Sequence, residues 1–154
     1  MDVNVIPATQ AHVDFVLKHI RPQDRMAAWI YTGKPIEQAL PETVAATPDC
    51  HSVLVAGEPV ALCGVAVASL LGGVGMPWVL GTEAMTQNPI RFLRHSRRMV
   101  VQMRRAWPHL VNVVADDNTP VKQWLQWLGF ELSAPFAYGR AGRMFRRFEI
   151  RGAA

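Results

Sequence analysis

Two periodicities of apolar residues divide this chain, one typical of helices and the other typical of strands. After Thr9 and again after Pro22, apolar residues recur three and four positions apart, which predicts two amphipathic helices. A short strand, Asn4 to Ile6, precedes them. Residues 35–46 form a third, weaker helical stretch, and we expect Pro41 to break it because proline removes a helical hydrogen bond.

The middle of the chain changes to extended, apolar runs separated by glycine and proline. Ser52 to Ala56 and Val60 to Ser69 predict two strands, and the intervening Gly57-Glu58-Pro59 predicts the turn of an antiparallel hairpin. A glycine loop follows, and Met76 to Gly81 predicts the next strand. Three consecutive strands are therefore expected after the helices.

The C-terminal half returns to alternating helices and strands. Pro89 begins a long predicted helix that ends near Trp107, and Val111 to Ala115 predicts a buried strand. A short helix follows, with Gly129 at its end. Met144 to Ile150 predicts a final strand, after a loop from Pro135 to Gly142. The apolar stripe of the short helix consists of Val121, Trp124, Leu125 and Leu128.

Length and composition predict one domain spanning residues 1–154, with an apolar fraction large enough for a core. No apolar run reaches the roughly 18 residues of a membrane span. The N-terminus, residues 1–4, has no signal-peptide pattern. We therefore expect a soluble, cytoplasmic protein with no membrane partner. Cys50 and Cys63 fit buried free thiols, and neither belongs to a metal-binding cluster, so no metal site is predicted.

Charge is distributed unevenly along the chain. Residues 1–87 carry 4 Lys/Arg against 8 Asp/Glu, and residues 88–154 carry 12 against 4. An arginine-rich half suits a phosphate-bearing ligand or a nucleic acid. A merely solvated basic face is the alternative, and the composition does not separate the two.

The order of these elements, together with one local motif, resembles the GNAT N-acetyltransferase superfamily. The motif is an Asn after the fifth strand, then a short helix that ends in Gly-Phe, and it is matched by Asn118, Val121, Trp124, Gly129 and Phe130. Several short sequence segments are also similar to those of GNAT-like proteins of T7-like podophages. That narrower similarity is carried by residues 77–82, Arg94-His95-Ser96-Arg97-Arg98, residues 112–118, residues 124–130 and Phe145-Arg146-Arg147-Phe148-Glu149.

The resemblance implies an α/β (α+β) fold with a mixed, mostly antiparallel sheet of six or seven strands, flanked by helices and splayed between the fourth and fifth strands. It also implies that acetyl-CoA binds in the splay. The pantetheine would pair with the main chain of Val79, Leu80, Gly81 and Thr82. The pyrophosphate would meet the start of the next helix, near Asn88, Arg91 and Arg94, where helix N–H groups are unpaired.

Catalysis of this kind needs a base for the ammonium proton and donors for the developing oxyanion. Glu83 is the candidate base, Asn118 positions cofactor or water in the family, and Tyr138 is a candidate general acid. Two features depart from the family pattern. Residues 82–89 lack the usual glycine-rich pyrophosphate loop, and Leu125 replaces the usual tyrosine general acid.

Three functions are therefore open. The first is an acetyl-CoA-dependent N-acetyltransferase, encoded by a phage, that acts on an amine of a small molecule or protein. The second is an inactive GNAT-like phage protein that binds a host or virion protein. The third is a nucleic-acid-binding protein. Trp124 and Trp127 would stack bases in the third case, whereas a hydrophobic core with one ring at its edge is the simpler interpretation.

Overall fold

The computed structural model describes residues 2–87, 89–139 and 142–152, and only the main chain of residues 86 and 89–91. The helices are α1 (Gln10–Lys18), α2 (Pro22–Thr32), α3 (Ile36–Ala45), α4 (Pro89–Ala106) and α5 (Thr119–Trp127). The strands are β1 (Val3–Pro7), β2 (His51–Val55), β3 (Glu58–Ser69), β4 (Val74–Gly81), β5 (His109–Ala115), β6 (Glu131–Leu132), β7 (Phe136–Ala137) and β8 (Met144–Ile150). A 3-10 helix, Glu83–Gln87, links β4 to α4.

Local sequence signals account for the helix ends. The Thr9 hydroxyl accepts a hydrogen bond from the His12 amide, and the His12 ring accepts one from the Thr9 amide, so both ends of a capping box are satisfied. Gly33 ends α2 in the left-handed conformation. The expected break at Pro41 was wrong, because α3 continues through it. The buried side chains of Ile36 and Leu40 hold this helix against the core despite the lost hydrogen bond.

The strands form one sheet in the order β1-β2-β3-β4-β5-β8-β6, with β7 paired to β8. All pairs are antiparallel except β4 with β5. The predicted β2–β3 hairpin is confirmed. The sheet has eight strands rather than six or seven, because Phe136 and Ala137 pair with β8 inside the stretch predicted as a loop. A strand of two residues is too short to be predicted from an alternating pattern of apolar and polar residues.

Helices cover the two faces of the sheet. Side chains of α1, α2 and α3 pack with Leu62 and Leu80 on one face. Those of α4 and α5 pack with Leu110 and Phe148 on the other face. The fold is therefore a layer of helices on each side of a single sheet.

The pairing of β4 with β5 is limited to one end. Only Val74 with His109 and Gly75 with Leu110 are in register, after which the two strands separate. The splay expected between the fourth and fifth strands is confirmed. It opens a gap in the middle of the sheet, bordered by main-chain polar groups.

Within the described part of the chain, no helix is both long enough and apolar enough to cross a membrane. The same residues contain no group of three or more His, Cys, Asp or Glu side chains arranged to hold a metal ion.

Candidate active site between β4 and β5

The vertex of the splay is tightly packed around Gly75. A Cβ atom added there would lie 2.2 Å from Val65 Cγ1 and 3.0 Å from Trp107 Cδ2. Because glycine has no side chain, β4 can approach both of these residues closely. This contact fixes the position at which β4 and β5 diverge.

Beyond the vertex, Asn112 of β5 bridges the gap. Its side-chain Nδ2 donates to the main-chain oxygen of Pro77 at 3.0 Å, and its Oδ1 accepts from the Val113 amide at 2.8 Å. One amide side chain thus replaces two bonds of the strand ladder that the splay has removed. Such a replacement is needed because half-buried main-chain groups without partners are costly.

A tyrosine from α2 completes this edge of β5. The Tyr31 hydroxyl donates to the main-chain oxygen of Val113. Its ring lies against Phe145 and Tyr138, with centroid separations of 5.2 and 6.1 Å. Burial, and secondarily the neighbouring Tyr138, raise the pKa of Tyr31 well above 10, so the hydroxyl stays protonated and acts as a donor.

The opposite edge of the gap is the free side of β4. Thr82 donates its N–H to the Val60 oxygen of β3, so the main-chain groups of Thr82 point toward β3. Positions in antiparallel pairing alternate, so Gly81, Val79 and Pro77 direct their main-chain groups away from β3. Pro77 has no N–H, and Asn112 uses its oxygen. Val79 therefore presents both an N–H and a C=O to the gap.

The groups of Gly81 are already engaged within the protein. Its N–H donates to Asp24 Oδ2 at 2.8 Å, and its oxygen accepts from the Arg21 amide at 2.9 Å. Arg21 also holds Asp24 through two hydrogen bonds, at 2.9 and 3.0 Å. The start of α2 thus closes the end of β4, and the edge that remains open is centred on Val79.

The predicted cofactor residues consequently have different surroundings. Among residues 79–82, the main-chain groups of Val79 point into the gap, and those of Leu80 and Thr82 point toward β3. The main-chain groups of Gly81 are hydrogen-bonded to Arg21 and Asp24 at the start of α2. Asn88 lies outside the described residues, and so does the side chain of Arg91. Arg94 is exposed on α4. The expectation that the cofactor uses these residues stays a prediction.

The three predicted catalytic residues lie on different segments of the chain. Glu83 is exposed immediately after β4, at the start of the 3-10 helix. Tyr138 is 43 % exposed and lies beside Tyr31 at the β5 side. The Asn118 side chain accepts from the Val121 amide at 3.4 Å and caps α5. This bond gives Asn118 a structural use, whereas the catalytic roles of all three stay predictions.

The usual general-acid position on α5 belongs to the core in this protein. Leu125 is buried among apolar residues of α4 and the sheet. The preceding residue, Trp124, donates from Nε1 to the Ser96 hydroxyl at 3.1 Å and lies 5.8 Å from the Phe92 ring. Trp127 is at the edge, 43 % exposed beneath the Arg97 guanidinium. A core with one ring at its edge is therefore confirmed for the two tryptophans.

Ion pairs occupy the carboxylates that follow β5. Asp116 accepts from Arg146 and Lys122, and these bonds, chiefly that from Arg146, hold its pKa below the usual value. Asp117 pairs with Arg143 at 2.9 Å. The lowered pKa makes Asp116 a weak proton acceptor, and the bond with Arg143 occupies Asp117, so neither carboxylate is favoured as a general base.

Sequence reasoning did not single out Tyr31, Asn112 or Asp24. A signal existed for Asn112, since it is the one polar residue within the apolar run of β5. The sequence gives no comparable signal for Tyr31, which reaches β5 from a residue 82 positions away. Asp24 looked like an ordinary acidic residue in the first turn of a helix.

Comparisons with known proteins identify the fold. No protein-family model matches the sequence. No curated protein matches it by sequence either. Solved structures do match: spermidine N-acetyltransferase from Vibrio cholerae, in complex with CoA and spermine, superposes with a TM-score of 0.75 at 11% identity, covering 96% of this chain and 94% of that chain.

A second similar structure is RimL, a ribosomal-protein alpha-N-acetyltransferase in complex with coenzyme A. It has a TM-score of 0.69 at 10% identity, and the superposition covers 97% of this chain and 93% of that one. At such low identity, likeness establishes architecture alone. The chain therefore has the GNAT fold, which is the fold of these N-acetyltransferases.

Proposed function

We propose that this protein is an acetyl-CoA-dependent N-acetyltransferase that acts on an amine of a small molecule or a protein. The observation that carries the proposal is the pair of Val79 main-chain groups directed into the gap between β4 and β5. An exposed strand edge pairs readily with an extended, amide-bearing chain such as pantetheine. The choice of cofactor is supported by the two similar structures, both of which are complexes with CoA.

The phosphates would bind at the start of α4. This helix is 18 residues long, and its first main-chain N–H groups have no helical partners. Pro89 at its first position fits this end, because that N–H would be unpaired in any case. We assign the pyrophosphate to this turn, together with Asn88, Arg91 and Arg94.

Bound acetyl-CoA would supply a thioester whose acyl carbon an amine can attack. The chain would contribute the polar groups around that carbon. The Val79 N–H would donate to the acyl oxygen, which gains negative charge during transfer. Glu83 would accept the ammonium proton, the C–S bond of the thioester would break as the C–N bond forms, and Tyr138 would donate a proton to the departing CoA thiolate.

A backbone-directed substitution tests the central contact. Val79→Pro removes the N–H that faces the gap, and no ladder bond to β3 is lost because that N–H points away from β3. Val79→Ala is the matched control, since it keeps the N–H and trims the side chain. Calorimetric titration with acetyl-CoA should show at least tenfold weaker binding for Val79→Pro and near wild-type binding for Val79→Ala.

Wild-type protein should also be stabilised by the cofactor. A ligand at a hundredfold excess over its dissociation constant adds about 2.7 kcal/mol to the unfolding free energy. No thermal shift at millimolar acetyl-CoA would overturn the proposal. Release of free thiol, followed with a panel of polyamines and peptide N-termini, would then identify the acceptor class.

A second candidate function is favoured by two positions near the site whose groups are already used within the protein. Gly81 is bonded to α2, and Leu125 is buried where the family carries its proton donor. A phage-encoded GNAT-fold protein that binds a host or virion protein, without acetyl transfer, accounts for both features. In that case, acetyl-CoA would neither bind nor stabilise the wild-type protein.

A further inference from the structure

The exposed side of α4 carries arginines that the fold does not neutralise. The helix contains six arginines and no Asp or Glu. Arg94, Arg98 and Arg105 are exposed, and at 100° per residue they fall within about 40° of one another around the helix axis. They form a straight row about 16 Å long, which we call the arginine ridge.

Several other cations of the described chain are paired with carboxylates. On β8 and beside it, Arg143 and Arg146 pair with aspartates, and Arg147 and Arg151 pair with Glu149. The cations of the α2–α3 region, Arg21, Arg25 and Lys34, are matched in the same way. None of the ion pairs among the described residues includes Arg94, Arg98 or Arg105. Part of the excess positive charge of the C-terminal half therefore lies on this ridge.

The ridge is not required to hold the helix in place. The opposite side of α4 packs against the sheet and α5 through Val100, Met103 and Trp107. The ridge residues leave that packing untouched. Three exposed guanidinium groups without partners repel one another, so their arrangement opposes folding slightly rather than favouring it.

From this charge pattern we infer that the arginine ridge binds the phosphodiester backbone of a nucleic acid. Guanidinium groups bind phosphates through paired, charge-assisted hydrogen bonds. A straight row of this length spans several phosphates of one strand. Val101 is the one large apolar residue within the row, at 50 % exposure. Protein interfaces need an apolar core, and membrane-surface helices need a wide apolar face, so both fit this surface less well.

A double substitution tests the inference without touching residues assigned to the cofactor. Arg98→Gln/Arg105→Gln removes two charges from the ridge. The control, Arg25→Gln/Arg151→Gln, removes two exposed charges that pair with Glu37 and Glu149 elsewhere. Both variants lower the net charge equally, and circular dichroism should show both folded.

Binding is measured by fluorescence anisotropy with labelled single-stranded and duplex oligonucleotides across a salt series. We expect wild-type affinity to fall steeply with salt, because counterions are released from the phosphates. The ridge variant should bind at least tenfold more weakly at low salt, with a logarithmic salt slope smaller by about 1.4–1.8. The control should keep the wild-type slope.

Three results would overturn the inference. They are absence of binding at low salt, an equal loss in the control variant, and equal affinity for polyglutamate or for vesicles of anionic lipid. The first would leave the ridge without a nucleic-acid role. The second would assign the binding to net charge alone, and the third would assign it to polyanions or membranes in general.

Discussion

Asn112 on β5 donates a hydrogen bond from its side chain to the main-chain oxygen of Pro77 on β4, at 3.0 Å. The contact crosses the sheet where the two parallel strands have stopped pairing. It therefore keeps the gap at a defined width while leaving the next outward-facing residue of β4, Val79, accessible. The shape of the candidate active site depends on this one amide.

Removing that amide should destabilise the protein. Asn112→Ala leaves the Pro77 oxygen and the Val113 amide without partners in a half-buried position. We expect a loss of about 1–3 kcal/mol in the unfolding free energy, measured by urea denaturation. Asn4→Ala, at an exposed site on β1, is the control and should cost less than about 0.5 kcal/mol. Equal losses in the two variants would refute the bridging role.

Tyr31 should control how the protein responds to alkaline pH. Its folded-state pKa is raised above the unfolded value of about 10, so its contribution to stability is complete below pH 10 and is lost as pH rises further. In an ultraviolet titration of tyrosinate, one of the chain's 2 tyrosines should ionise only as the protein unfolds.

Matched variants assign that late ionisation. Tyr31→Phe keeps the ring contacts with Phe145 and Tyr138 and should abolish the late signal. Tyr138→Phe should retain it. If the late signal persists in Tyr31→Phe, it comes from Tyr138, and the assignment to Tyr31 is wrong.

The vertex of the splay should not tolerate a side chain. Gly75→Ala places a methyl group 2.2 Å from Val65 Cγ1 and against the Trp107 ring. Overpacking of this kind costs about 1–3 kcal/mol, which chemical denaturation can measure. In the control, Gly72→Ala, the nearest atom is the Ser69 hydroxyl oxygen at 2.9 Å, and the next nearest atoms are at 3.5 Å. A cost for Gly75→Ala no larger than that of the control would contradict the tight vertex.

Glu149 should contribute to stability at neutral pH and lose that contribution in acid. The hydrogen bond with His109, at 2.8 Å, lowers the Glu149 pKa from its usual 4.5, and Arg151 and Arg147 act in the same direction. A lowered folded-state pKa gives a contribution that is present above pH 4.5 and is lost as pH falls through the lowered value.

The corresponding experiment compares unfolding free energies at neutral pH and below pH 4.5. Glu149→Gln should be less stable than wild type at neutral pH, and the difference should shrink in acid. Glu58→Gln, an exposed carboxylate of β3 outside the ion pairs of the described residues, is the control. A constant difference between Glu149→Gln and wild type would contradict the assigned linkage.

Much of the architecture follows from local sequence signals. Asn118 and Gly129 delimit α5 by capping and by left-handed geometry, which depend only on neighbouring residues. The long amphipathic pattern predicted α4, and the Gly57 turn predicted the β2–β3 hairpin. Short or unusual elements were less predictable. Pro41 stays within α3 because tertiary burial outweighs the local penalty, and β7 is too short to show a pattern.

The site itself depends on contacts between distant parts of the chain. Tyr31 reaches Val113 across 82 residues, and Asp24 reaches Gly81 across 57. Side-chain spacing along the sequence contains no information about such pairs. The sequence likewise did not show that the main-chain groups of residues 79–82 alternate in direction or that α2 takes those of Gly81. Their use in cofactor binding stays a prediction.

By itself, the sequence determined most of the element order and the concentration of arginine in the C-terminal half, and its resemblance to the GNAT superfamily implied the splayed sheet. Capping and periodicity depend on residues close together in the chain, and composition needs no structure, so all three can be detected in the sequence alone. The tertiary structure alone decided that Asn112 and Tyr31 border the gap, that Val79 is the residue facing it, and that Arg94, Arg98 and Arg105 take part in none of the ion pairs of the described residues. Which groups remain unpaired is settled only when the chain has folded, because each pairing joins segments that the sequence keeps far apart.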